Sequence, residues 1–316
     1  MTALGWAIVT LVLAGSGTLV LGLTLRWVDR KVTALVQWRV GPPWYQPFVD
    51  MLKLMGKENL VPSTARGTGF LIAPLVALAS TLVVAAILWH ACFRPQVGFV
   101  GDLIVVLYLL TMPALMTMLG ASASGNPHAA VGASREMKLL LSYELPLLCA
   151  ILVGLARAAS LGGAAWTFRL GDLVQAQSTW PAVASASGVL ALLVAIVCAQ
   201  AKLGQVPFDL AEAECEIMSG VLVEYSGPSL AMFLLARAML LALMPLLMIL
   251  VFWGGLYTGA WWGILTFAGK YLLLVALVTL IRNTNPRLRI DQTMKLFWFV
   301  LTPAAVLALI LALNGH

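Results

Sequence analysis

Runs of about 20 almost uncharged apolar residues recur along the whole chain, the length that ~30 Å of hydrocarbon asks of a helix rising 1.5 Å per residue. Few folds are compatible with such runs. Inside a bilayer every backbone N–H and C=O must be satisfied within the protein, which leaves helices and closed barrels. Barrel strands would be about ten residues long and alternating, so the chain reads as an all-α polytopic membrane protein. Composition agrees: 61% of the 316 residues are hydrophobic and 10% charged, against roughly 25% charged in an ordinary soluble domain. A water-soluble globular enzyme is thereby excluded.

Apolar windows place eight transmembrane helices near Leu4–Leu25, Gly69–Trp89, Leu103–Ser122, Leu139–Ala156, Val183–Ala201, Pro228–Trp253, Trp261–Ile281 and Phe297–Leu313. A single integral membrane domain over residues 1–316 is the simplest reading. The seventh span is set off only by the short break Gly254–Gly259. Of the 19 lysines and arginines, the even-numbered loops hold only Arg94, Arg157 and Arg169, while fourteen lie at the odd-numbered loops. By the positive-inside rule the odd loops are cytoplasmic. The expected location is the cell inner (cytoplasmic) membrane, with both termini outside and the first helix a reversed anchor, not a cleaved signal peptide.

The acids follow the same side, although they contribute little to orientation. Of 13, only Asp102 and Asp172 fall outside, which marks the inner face as the working surface. The stretch Val206–Gly227 opens with Pro207 and carries Asp209, Glu212, Glu214, Glu216 and Glu224. If helical, it stacks Asp209, Glu212 and Glu216 on one stripe. Crowded carboxylates in a low-dielectric setting cannot all ionise, so a proton would be shared among them. The bland alternative is a solvated acidic loop. Leu210, Ile217, Met218, Val221 and Leu222 interleave the acids, which is instead the pattern of a segment packed against something.

Glu144, in Ser142-Tyr-Glu-Leu-Pro146, sits inside an apolar span, and an intramembrane carboxylate must be neutral, paired or facing water. Arg237 and Lys270 lie in the sixth and seventh spans, where they either pair or snorkel. Cys92, Cys149, Cys198 and Cys215 form no Cys-x-x-Cys pair; His90 stands two residues before Cys92, but His128 and His316 lie far from the cysteines in sequence. No iron–sulfur or zinc site is written here. In the first inner loop Gly41-Pro-Pro43 is a turn, and Phe48–Lys57 has helical spacing with Phe48, Leu52 and Met55 on one stripe. That part reads as an amphipathic interfacial helix. It is either an anchor facing lipid phosphates or a docking platform whose Arg30, Lys31 and Arg39 counterbalance the acids.

Ordered motifs along nearly the whole chain carry a resemblance. They are Asp29-Arg-Lys31, Gln37-x-Arg39-x-Gly41-Pro42, Gln46-Pro47-x-x-Asp50-x-x-Lys53-Leu54, Lys57-Glu58, Gly132-Ala-Ser-Arg-Glu-Met137, Ser142-Tyr-Glu144, Pro207-Phe-Asp-Leu-x-Glu-Ala-Glu214, Glu224-Tyr-Ser-Gly227 and Arg287-Leu-Arg-Ile-Asp-Gln292. On them the chain resembles the complex I subunit 1 family, and more closely its counterpart in group 4 membrane-bound nickel–iron hydrogenases of the Ech, formate hydrogenlyase and Mbh type. The resemblance implies an eight-helix subunit that anchors an iron–sulfur arm, with an acidic path leading from the arm into the membrane. By position Glu144, Asp209, Glu212, Glu214, Glu216 and Glu224 are similar to the carboxylates of that proton or ion path. Arg30, Arg39, Arg287 and Arg289 resemble arginines at the arm junction, with Lys31, Asp50, Lys53 and Arg135 as further docking charges.

Two departures bear on chemistry. Between Gly41-Pro42 and Gln46-Pro47 only Pro43-Trp44-Tyr45 intervenes, the short form typical of the hydrogenase branch, and Arg237 stands where many complex I members carry an acid. The expected role is therefore membrane anchor and coupling subunit of an ion-translocating, ferredoxin-linked hydrogenase-type complex. This chain would carry no cofactor. Its partners would be an iron–sulfur small subunit and a hydrogenase-like large subunit, bearing 4Fe–4S clusters and a NiFe centre, together with antiporter-like membrane subunits. Competing readings are a quinone-site subunit of a complex I-type oxidoreductase, an autonomous secondary transporter, and an inert structural anchor.

Overall fold

The computed structural model describes residues 3–65, 67–96, 98–162, 166–212, 218, 220–256 and 261–315. These residues form helices α1 (Ala3–Val36), α2 (Gln46–Met55), α3 (Gly67–Phe93), α4 (Asp102–Ala123), α5 (Pro127–Gly162), α6 (Leu170–Thr179), α7 (Ala186–Lys202), α8 (Gly227–Trp253), α9 (Trp261–Thr284) and α10 (Ile290–Leu313). Among the described residues seven helices are long and apolar enough to cross a membrane, and α7 is a shorter apolar helix. They correspond one to one with the eight expected spans. The remaining two, α2 and α6, are short.

The apolar windows mark the membrane-embedded part of each helix and not its ends. Helix α1 continues past Leu25 to Val36, so Arg26, Asp29, Arg30 and Lys31 stand on helical turns and not in a loop. Helix α5 starts at Pro127, well before Leu139, and carries Arg135, Glu136 and Lys138 on its early turns. Asn126 caps it, accepting from the His128 N–H at 2.8 Å. Arginine, lysine and glutamate are good helix formers, so nothing local stops a helix where its hydrophobicity ends. Helix α6 was not anticipated, being too short to register as a span.

Apart from Arg237, helix α8 is apolar around its circumference, and 89% of its spanning window is buried, as such a helix requires. It packs against α1 and α3, while α3 lies along α4, and α5 lies along α7 and α10. The contact of α1 with α8 is backbone-close: a Cβ on Gly22 would fall 2.3 Å from the Ala238 carbonyl oxygen. By contrast α9 and α10 bury only 28% and 22% of their windows.

Two helices loosen into π-type turns, at Ile249–Trp253 in α8 and Phe297–Leu301 in α10. Freed carbonyls in apolar surroundings need donors. Gln177 of α6 donates to the Val251 carbonyl, and Lys270 Nζ donates to the Trp253 carbonyl at 3.0 Å. Lys270 is thus a local cap of a backbone carbonyl, which is neither of the two expectations for it. In α10, Thr302 Oγ1 donates to the Phe297 carbonyl at 2.8 Å.

Candidate functional site

The ends of α1, α7 and α9, the starts of α5 and α8, helix α2 and the 203–226 connection meet at one end of the bundle, its basic face. Among the described residues five ion pairs tie them together. Arg282 of α9 bonds Asp29 of α1, and Arg30 of α1 meets Asp50 of α2 at 3.3 Å. Arg287 meets Asp209 at 3.1 Å, Arg237 of α8 meets Glu212, and Lys202 of α7 meets Glu144 of α5 at 3.3 Å. Arg237 therefore neither snorkels nor stands alone. The Lys202 side chain is only 1% exposed and sits over the Tyr143 ring, 5.6 Å from its centroid. A charge so enclosed is tolerable only beside a partner.

Where it is described, the 203–212 stretch departs from the helical expectation. Residues 203–212 form turns and irregular backbone, anchored by Phe208, which is buried against Phe297 with ring centroids 5.1 Å apart. The Gln200 amide holds the Val206 carbonyl at 2.8 Å, and the Leu288 N–H holds the Pro207 carbonyl at 3.1 Å. Asp209 and Glu212 consequently do not stack on one stripe. Each is drawn to a cation on a different element, and that tertiary pairing replaces the local crowding read from the spacing. Glu214 and Glu216 lie outside the described residues.

Beyond them a short 3-10 turn at Gly220–Leu222 buries Val221 and Leu222. Gly220 has φ +55°, and a Cβ there would lie 1.9 Å from the Ala211 carbonyl oxygen, so the turn demands glycine. Tyr225 stacks on Phe70 with centroids 4.1 Å apart and donates to the Phe70 carbonyl at 3.1 Å. Burial pushes its phenol pKa above the usual value. Glu224 is held separately, accepting from the Asn126 amide that also caps α5.

Two contiguous polar cavities run inward from this face. One, of about 40 Å³, is lined by Glu136, Lys202, Asp209, Glu212 and Arg237, with Phe208, Pro113 and Thr117 among its walls. The other, about 240 Å³, is lined by Arg26, Asp29, Arg30 and Arg282 and shares Asp209, Glu212 and Arg237 with the first. Acids and bases thus alternate from Asp29 and Arg282, through Glu212 and Arg237, to Glu136 and then the Lys202–Glu144 pair. Such an array can hold and relay protons between neighbouring carboxylates, and a charge change at one pair alters its neighbours.

The expected site residues divide accordingly. Glu144, Asp209 and Glu212 belong to the array, whereas Glu224 stands apart from both cavities. Arg30, Asp50 and Arg287 are paired as described, and Lys31 Nζ reaches the Gly41 carbonyl at 3.5 Å. The Arg289 N–H donates to Gln292 Oε1 at 3.2 Å, setting the start of α10. Arg39 lies in the exposed 37–45 segment, where Trp38 is 98% and Val40 97% exposed. The amphipathic helix α2 is present, but its buried face is Pro47 and Met51, with Leu52 and Met55 exposed. The stripe is offset because Met51 is seated in a cluster with Leu23, Leu235 and Ala238. Glu136, Lys202, Asp29, Arg282 and Arg26 join the site without having been assigned to it. For Lys202 the only signal was a lysine closing an apolar span, which equally describes snorkelling.

Residues 8–313 match the family model described as NADH dehydrogenase. The chain is 35% identical over 332 residues to the H-type subunit of NADH-quinone oxidoreductase from Geobacillus thermodenitrificans, covering 98% of this chain and 96% of that protein. It is 33% identical over 327 residues to an H-type subunit of NADH-quinone oxidoreductase from Syntrophobacter fumaroxidans, covering 96% and 95%. Its fold is similar to a chain of the membrane-bound sulfane sulfur reductase, an archaeal respiratory membrane complex, with a TM-score of 0.84, 29% identity and coverage of 97% and 99%. These relatives are subunits of multi-subunit membrane oxidoreductases, and by match length and identity this multi-pass membrane chain belongs to the complex I subunit 1 family, whose bacterial members are the H-type subunits.

Proposed function

We propose that this chain is the membrane anchor and coupling subunit of an ion-translocating, ferredoxin-linked complex of the membrane-bound hydrogenase type. The observation that carries the proposal is the alternating acid–base array along two joined cavities, from the basic face to the buried Lys202–Glu144 pair. Redox chemistry in a peripheral iron–sulfur arm would change charge at the outer end, near Asp209 and Arg287. The array would pass that change to Glu144 as a shift in protonation. Iron–sulfur clusters and a NiFe centre belong, in this reading, to partner subunits.

The exposed 37–45 segment supports arm docking. Trp38, Val40 and Trp44 are 98%, 97% and 66% exposed around Arg39, an apolar, cationic patch typical of a surface that a partner covers. The short 43–45 link and the Arg237–Glu212 pair support the hydrogenase branch over a quinone-reducing one, as does the likeness to a sulfur-reducing complex. The quinone reading is retained on one ground, that the relatives named above are NADH-quinone oxidoreductase subunits. Those relatives are also parts of complexes, which argues against an autonomous transporter.

The test is purification of the complex in mild detergent, identification of its large soluble subunit, and reconstitution into liposomes. Two Cys-x-x-Cys pairs near that partner's ends and hydrogen evolution from reduced ferredoxin are expected, and quinone reduction without those thiols would replace the hydrogenase reading. Glu144→Gln and Glu212→Gln are expected to abolish gradient formation. Unchanged gradients in a normally assembled complex would overturn the coupling role.

A further inference from the structure

A third hollow, of about 340 Å³, lies beneath α2, between it and the helices α1 and α8. It shares Arg26 and Arg30 with the second cavity but has none of that cavity's Asp29, Asp209 and Glu212. Here Arg26, Arg30, Lys53 and Lys57 face a single carboxylate, Asp50. That carboxylate is already committed to Arg30 at 3.3 Å and to the Gln46 amide at 2.8 Å. At the inner end Arg26 has its Nη1 buried without a hydrogen-bond partner among the described residues. Buried guanidinium nitrogens ordinarily find an acceptor, so the hollow is short of anionic oxygen.

Its remaining wall is apolar, formed by Met51, Leu54 and Leu234. Helix α2 lies at the end of α1 and beside the first turns of α8, and the chain leaving it is pinned there by the Leu60 N–H donating to Ser226 Oγ at 3.1 Å. The hollow is therefore at headgroup level of the leaflet on the basic face. Cations at the rim and inner end, an apolar wall running into the bilayer and that depth together match one class of molecule.

We propose that the hollow binds an anionic phospholipid, its phosphate among Arg26, Arg30, Lys53 and Lys57 and an acyl chain along Leu54 and Leu234. The exposed lysines Lys53 and Lys57 capture the headgroup, and Arg26 receives its oxygen at the inner end. Lys53 thereby takes a lipid role instead of the arm-docking one expected of it. The bound lipid would cement α2 to α1 and α8 and so steady the docking segment 37–45 that precedes it. The inference is independent of the electron acceptor and of ion translocation.

The experiment uses the intact complex in nanodiscs containing photoactivatable phosphatidylglycerol, with photoactivatable phosphatidylcholine as control, and maps cross-linked peptides by mass spectrometry. Selective cross-linking of phosphatidylglycerol to residues 46–57 and to the first turns of α8 is expected. Lys53→Gln combined with Lys57→Gln should cut it roughly tenfold, since each basic side chain at a membrane surface contributes a several-fold preference for anionic lipid. Arg26→Gln, read in the same way, guards against a misfolded double variant, and its retained fold is checked by the thermal transition of the complex. Equal labelling by the two lipids, labelling unaffected by both variants, or occupation of the hollow by a partner's acidic segment or by a quinone would overturn the proposal.

Discussion

The two faces of the bundle handle buried charge differently. On the basic face, Lys202, Glu212, Arg237, Asp209, Asp29 and Arg282 line two joined cavities, with Glu144 and Arg287 paired to Lys202 and Asp209, and each pair joins two different elements. On the opposite face charges act locally. Arg169 donates to the Gln96 carbonyl at 2.6 Å and stands 3.7 Å from Asp172, one helical turn along the chain. Lys270 caps a single carbonyl where α8 loosens before Gly254. Local use of charge closes off backbone groups and leaves nothing to relay. Shared use leaves carboxylates next to one another across a polar space, where the state of one affects the next.

The sharpest attempt to break this comparison is Lys202→Met. It strands Glu144 without its cation, and removing one partner of a buried pair costs about 3–5 kcal/mol. A large fall in the thermal transition of the complex is expected, recovered in good part by adding Glu144→Gln. If Lys202→Met were as stable as the parent chain, the pair would not be the enclosed end of an array. Gly220→Ala tests the backbone that presents Glu212. Left-handed strain of about 1–2 kcal/mol plus contact with the Ala211 carbonyl should lower stability by about 2–3 kcal/mol, measured by the same melt, and should reduce ion translocation with it.

On the opposite face Lys270→Met should cost about 1 kcal/mol, the worth of one hydrogen bond to a carbonyl, and leave translocation in proteoliposomes unchanged. A translocation defect would show that the local cap belongs to the relay after all. The smallest effect is expected for Asp50→Asn. Arg30 and Asp50 side chains are 44% and 33% exposed, and a pair so hydrated contributes below about 1 kcal/mol. Its thermal transition should scarcely move, which separates the hydrated rim from the enclosed pairs.

Much of this architecture is legible one residue at a time. Hydropathy locates the eight spans because each must satisfy the bilayer alone, and the gathering of the acids on one side marks the working face. The motifs around Asp29, Arg39, Glu144, Asp209 and Arg287 name the family, which the match over residues 8–313 establishes. The site itself was only half legible. Glu144, Asp209 and Glu212 stand out as acids in apolar company, but Lys202 and Arg282 look like ordinary basic residues at span ends. Glu136 looks like one more acid in a loop that is in fact helix.

What the sequence by itself determined is therefore the membrane class, the span count, the end of the bundle that gathers charge and the family, all set by local composition or by ordered motifs. Only the tertiary structure decided which acid meets which base. Asp29 and Arg282, or Glu144 and Lys202, are far apart in the chain and adjacent only because α1, α5, α7 and α9 meet at one face. It also decided that residues 203–212 are not helical, since Phe208 is drawn into the core and Asp209 and Glu212 to separate cations. The physical reason is one of range. Transfer from water to lipid is a property of each segment, whereas pairing of buried charge is a property of the packed whole.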